Sequence, residues 1–173
     1  GMGDAEYLAA FQTLLLPLAR EFNPDLVLVS AGFDGALGDA AGFSVTASGF
    51  AQMTEMLQSL CERLVLVLEG GYTLSVTAKC VAACIAVLLG DKPAVTSAGA
   101  SVSPKPEACY SIVRTLRALE PHWPRALGAA SSGAAGPIFQ HVFAAVDGRA
   151  SVDGRASKAQ SRGRAKASIS GMP

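Results

Sequence analysis

The chain has 173 residues, enough for one domain of ordinary size, and is 50% hydrophobic and 16% charged, a balance that supports a packed core. No apolar run reaches the roughly 18 to 20 residues that cross a bilayer, and the opening GMGDAEY lacks a basic segment followed by an apolar one, so neither a membrane span nor a secretory signal is expected. The zero net charge hides an asymmetry: residues 1–124 carry seven Lys/Arg against twelve Asp/Glu, and residues 125–173 carry seven against two.

In chain order, Asp4 reads as the N-cap of a first helix. Tyr7, Leu8, Phe11, Leu14, Leu15, Leu18 and Phe22 then recur at three- and four-residue steps, the helical period. Pro17 inside this pattern predicts a kink or local break, and Asn23-Pro24 ends the element. Leu26 to Val29 is a short continuous apolar run, which suits a strand covered on both faces. Residues 34–45 are glycine-rich and read as a loop. A second helix is predicted to start at Thr46, with Phe50, Met53, Leu57 and Leu60 on one face. Leu64 to Leu68 (LVLVL) is a second apolar strand running into Glu69-Gly70-Gly71-Tyr72. A third helix is predicted over 74–89, stopped by Gly90 with Pro93 just beyond. Helix, strand, helix, strand, helix with covered strands argues an α/β fold: a parallel sheet with helices on both faces.

Residues 91–105 read as a Pro/Ser/Ala linker. Residues 107–120 place Cys109, Ile112, Val113, Leu116 and Leu119 at helical spacing. From Arg125 onward Ala, Gly, Ser and Arg dominate, and VDGRAS occurs twice in tandem, at 146–151 and 152–157. Ile138 to Val146 is an apolar island fit for a short helix. Beyond it there is too little apolar surface to offset ordering entropy, so a disordered, solvated tail is expected over 125–173 after a folded part over 1–124. The charge density of that tail is modest, and no nucleic-acid contact is expected of it. Cys61, Cys80, Cys84 and Cys109 read as thiols packed as small hydrophobes, because the second ligand pair of a zinc site is missing.

The chemistry-bearing residues sit at the two strand ends. Open parallel sheets bind ligands outside the carboxyl ends of their strands. Here the first strand delivers Asp34, flanked by Gly32 and Gly35, and the second delivers Tyr72, preceded by Gly70 and Gly71. Glycine permits backbone conformations and close approach that other residues forbid. Two readings stand on these residues alone. Asp34 is a turn residue or a ligand, and Gly-Gly-Tyr is a tight turn with a packed aromatic or part of an active site. The chain has no G-x-x-x-x-G-K-[ST], no G-x-G-x-x-G and no G-x-S-x-G, which leaves out phosphate loops, dinucleotide sites and nucleophile elbows of those types.

FNPDLVLVSAGFDGALGD, followed about thirty residues later by LVLVLEGGYTL, resembles the C-terminal part of the catalytic domain of zinc-dependent histone deacetylases. SAGFD and EGGY resemble the class II branch more closely than class I. The resemblance covers about residues 1–92 and, weakly, 107–124. It implies an arginase-like α/β fold and hydrolysis of acetyl-lysine amides in histone- or tubulin-type proteins, in the cytoplasm, the nucleus or both. In the family, two aspartates and one histidine hold Zn2+. Asp34 matches the second aspartate. Tyr72 matches the tyrosine that hydrogen-bonds the substrate carbonyl, and Gly70 and Gly71 before it are expected to bind substrate. Tyr72 points to class IIb, since class IIa members carry histidine there. The polyamine-selective type has a glutamate seven residues after the zinc aspartate, where this chain has Ala41, so a protein substrate is expected.

The family's paired catalytic histidines and Asp-x-His zinc ligands precede the matched segment and have no counterpart here. The chain therefore reads as part of an active site, expected alone to show neither deacetylase activity nor tight zinc binding. The alternative reading is a non-catalytic interaction protein that binds a partner through an exposed sheet edge.

Overall fold

The computed structural model describes residues 1–94, 103–131 and 140–146. Helix α1 (Asp4–Ala10) is capped by Gly3, not by Asp4. The Gly3 N–H donates to Glu6 Oε2 at 2.6 Å, so the N3 glutamate reaches back to the cap. Asp4 is used at a distance. Its carboxylate accepts the Thr46 N–H and the Thr46 hydroxyl, both at 2.7 Å. Thr46 in turn caps α3 (Ala47–Gln58) by accepting the Gly49 N–H at 3.0 Å.

The regular α-helix is locally interrupted just ahead of Pro17, as expected, while the chain stays helical from Asp4 to Phe22. A π-helical turn (Phe11–Leu15) leads directly into α2 (Leu16–Phe22), with Pro17 in its first turn. Proline is tolerated in the first turn of an α-helix, where its missing N–H costs least. Asn23 ends α2 in the left-handed region at φ 55°.

Strands β1 (Val27–Ala31) and β2 (Leu64–Leu68) pair in parallel, with Val27 opposite Leu64 and Ala31 opposite Leu68. Their crossover contains α3, as parallel pairing requires. Helix α4 (Leu74–Leu88) follows β2 and stops at Gly90, whose φ is +102°. The Gly90 and Asp91 N–H groups return to Val87 and Ala86. On one face of the sheet, Ala31 and Leu66 pack with Phe50 of α3 and with Val76, Cys80, Val81 and Cys84 of α4 around the buried Phe33. The opposite face is bare among the described residues: Leu28, Val65 and Val67 are 68%, 46% and 51% exposed. The α/β class is as expected, but the helical cover expected on both faces is present on one.

Order continues past Arg125. Helices α5 (Pro106–Leu119) and α6 (Pro124–Ser131) and the helical residues 140–146 share one core. Ile112, Val113, Leu116, Leu127, Val142 and Val146 are buried there with Ala9 and Cys109. Glu21 of α2 fixes the start of α6, accepting the Ala126 N–H at 2.5 Å and the Arg125 Nε at 3.3 Å. A segment poor in apolar residues thus folds locally because its few large side chains fall on one side of short helices. The apolar island is helical where described. Most of the predicted linker, and the VDGRAS repeat after its first residue, lie outside the described residues. The four cysteines are free thiols; Cys80, Cys84 and Cys109 are buried. Among the described residues no helix is long and apolar enough to cross a membrane.

Candidate active site at the strand ends

The parallel ladder runs on beyond the strands. Glu69 N–H donates to the Ala31 carbonyl at 3.1 Å, and Phe33 N–H donates to the Gly70 carbonyl at 2.9 Å. The two loops therefore leave the sheet side by side, Asp34 one residue past this zipper and Tyr72 two residues past it. Phe33 anchors the zipper. It is buried, and its ring meets Phe50 edge-on with centroids 5.0 Å apart.

Glycines shape the space around Asp34. A Cβ on Gly32 would lie 3.2 Å from Asp34 Oδ1, and one on Gly70 would lie 3.2 Å from both Oδ1 and Cγ. Gly71 has a different reason. Its φ is +123°, and a Cβ there would meet Thr77 Oγ1 at 2.7 Å and Phe33 Cβ at 3.1 Å. The structure thus gives Gly70 and Gly71 backbone duties: room for a carboxylate, and a turn only glycine makes without strain.

The carboxylates near the site differ in how they are used. Those of Asp4 and Asp39 are spent on backbone donors. The backbone of Asp34 forms a turn, the Ala36 N–H donating to the Phe33 carbonyl at 3.0 Å, while among the described residues no hydrogen bond or ion pair reaches its half-buried carboxylate. Tyr72 is 76% exposed. Its backbone is tied down by Asp39, whose Oδ2 accepts the Tyr72 N–H at 2.9 Å and the Thr73 N–H at 2.7 Å. Those bonds, the one to Thr73 foremost, hold the Asp39 carboxyl below the usual carboxylate range. Asp39 was missed in the sequence because a cap supplied by a loop more than thirty residues away leaves no local spacing.

The loop carrying both aspartates is less free than its glycine content implies. Leu37 N–H donates to the Val45 carbonyl at 2.8 Å, Val45 N–H returns to Gly35 at 3.3 Å, and Val45 is buried.

A zinc centre needs about three protein ligands. Among the described residues no three His, Cys, Asp or Glu converge. His122 and His141 are exposed and lie on neither strand-end loop. Asp34 is thus one suitable donor, and the described residues alone do not fit a complete zinc site.

A family model, the histone deacetylase domain, matches residues 1–88. The chain belongs to the histone deacetylase family. Over 125 residues, 71% of this chain, it is 50% identical to the human polyamine deacetylase HDAC10 and 43% identical to histone deacetylase HDA1 of Saccharomyces cerevisiae. Over 127 residues it is 43% identical to human histone deacetylase 7. This chain spans 18% of the length of the first two relatives and 13% of the third. It superposes on the crystal structure of the HDA15 HD domain with a TM-score of 0.68 at 36% identity, covering 76% of this chain and 35% of that one. For the histone deacetylase Clr3 the TM-score is 0.69 at 38% identity, covering 73% and 21%. The fold is the arginase-like α/β fold of deacetylase catalytic domains, present as a part.

Proposed function

We propose that this chain is the C-terminal portion of a class IIb-like, zinc-dependent deacetylase domain that hydrolyses acetyl-lysine amides. In this reading Asp34 is a zinc ligand, the other ligands come from outside this chain, and the catalytic domain occupies residues 1–124. Tyr72 donates its phenol O–H to the substrate carbonyl and to the oxyanion that develops there. Gly70 and Gly71 keep the substrate side of the loop open. The observation that carries the reading is the Asp34 carboxylate. It lies between two glycines at the carboxyl end of a parallel strand, without a partner among the described residues, next to the loop that holds Tyr72. Tyr72 supports class IIb and Ala41 supports a protein substrate, histone or tubulin in type, met in the cytoplasm or nucleus.

The purified chain is expected to leave an acetyl-lysine peptide intact and to take up no stoichiometric zinc. Fused behind the preceding part of a relative's catalytic domain, it is expected to give chelator-sensitive deacetylation. Tyr72→Phe is expected to lower kcat of that fusion about 100-fold, in the range for loss of an oxyanion donor. Activity in the isolated chain, or an unaffected Tyr72→Phe fusion, would overturn the assignment.

The bare sheet face supports a second reading, a non-catalytic module that binds a partner through Leu28, Val65 and Val67. A monodisperse, cooperatively melting chain that stays inactive in the fusion would favour it.

A further inference from the structure

We infer that Asp39 is the positioning residue for Tyr72, tying the loop after β1 to the start of α4 so that the phenol is presented from a fixed backbone. The inference deepens the proposed deacetylase reading and rests on it for the role of Tyr72. The clamp itself is geometric. One carboxylate oxygen takes the N–H groups of Tyr72 and of Thr73, the residue that opens α4; the other takes the N–H of Ala40 at 2.7 Å. The backbone of Asp39 is fixed in turn by its own N–H to the Ala36 carbonyl at 3.0 Å, and Ala36 is buried. Gly38, at φ +97°, lets the same loop close on Val76 of α4. The Tyr72 side chain has no comparable restraint, being largely exposed. The backbone bond to Asp39 is thus what sets where the ring starts from.

The clamp also explains why the site needs two aspartates with opposite surroundings. A metal ligand keeps its lone pairs free, whereas a positioning carboxylate spends them on N–H donors at a helix start, where the helix dipole favours negative charge. Cys80 of α4 is the ionisable group that faces Asp39 from the packed helix. Burial pushes its thiol up, with Cys84 and Asp39 adding to the effect, so it stays neutral through the acid range.

The test uses the 15N-labelled full chain. The Tyr72 and Thr73 amide resonances are expected to titrate together, with one midpoint below the usual aspartate value of about 3.9. In Asp39→Asn, which keeps an acceptor oxygen, that titration is expected to vanish while the Val29 and Leu66 amides stay in place. In Asp39→Ala the Tyr72 amide is expected to exchange at least about tenfold faster, consistent with local opening. In the fusion described above, Asp39→Asn is expected to lower kcat about tenfold with KM within twofold, the pattern of lost transition-state geometry. An unchanged Tyr72 titration in Asp39→Asn, an unchanged kcat, or collapse of the β1–β2 amides in both variants would each overturn the inference. A fusion whose activity ignores Tyr72→Phe while the amide titration persists sinks the deacetylase reading and leaves the clamp standing.

Discussion

Asp34 and Asp39 stand five residues apart on one loop and in opposite surroundings, Asp39 accepting three backbone N–H groups and Asp34, among the described residues, none. Since no hydrogen bond or ion pair among the described residues depends on Asp34, Asp34→Ala is expected to change thermal stability by no more than about 0.5 kcal/mol. The same substitution in the completed enzyme is expected to abolish activity, and melting curves beside rate measurements check the contrast. Gly71→Ala should behave the other way. It combines a left-handed φ with a 2.7 Å clash against Thr77 Oγ1, and is expected to cost about 1–3 kcal/mol by chemical denaturation. Glu6 supplies the acid-range signal. Burial pushes its carboxyl up, but the N–H groups of Gly3 and Lys105 outweigh burial and hold it below its ordinary value of 4.5. A depressed folded pKa gives stability that is complete above the unfolded value and is lost as pH falls through the folded one. Melting temperature is therefore expected to fall as pH drops below 4.5, and less steeply in Glu6→Gln.

At the scale of elements, periodicity located nearly every helix. The positions it marked on α5, from Cys109 to Leu116, are the ones the core buries. The strands were legible as apolar runs, and their pairing followed from the crossover between them. Long-range contacts were not legible. Asp4 was placed as the cap of its own helix, yet it serves the start of α3. Nothing in local spacing reveals a carboxylate whose partner is Thr46. The same blindness hid Asp39, while Asp34 stood out because strand ends and flanking glycines mark it. Average polarity after Arg125 says nothing of where a single leucine lands, and Leu127 of α6 is buried. Leu127→Ala is accordingly expected to cost about 2–5 kcal/mol, as for a truncation in a closed core, measured by urea unfolding.

For the whole molecule, the two faces of the sheet set the balance. One face is closed by α3 and α4 around Phe33; among the described residues the other leaves Leu28, Val65 and Val67 exposed. Parallel sheets are rarely stable with an open apolar face, so the chain is expected to self-associate or to need a cover. Replacing all three with threonine is expected to shift sedimentation toward monomer while leaving the β2–α4 side folded. The shift is expected in the isolated chain, and the same triple change in the fusion is expected to destabilise it if, as proposed, the preceding part of the domain covers that face.

The parallel register has one more consequence, in the order of synthesis. Val27 faces Leu64, so β1 leaves the ribosome long before its partner exists. Until α3 and β2 have followed, Leu26–Val29 is a nascent apolar segment without a ladder, the kind of stretch that chaperones retain. Loop closure across the crossover must come before any pairing, which puts sheet formation late. The zipper between Phe33 and Gly70 extends that pairing, so the two loops of the candidate site are brought side by side only once the strands have paired.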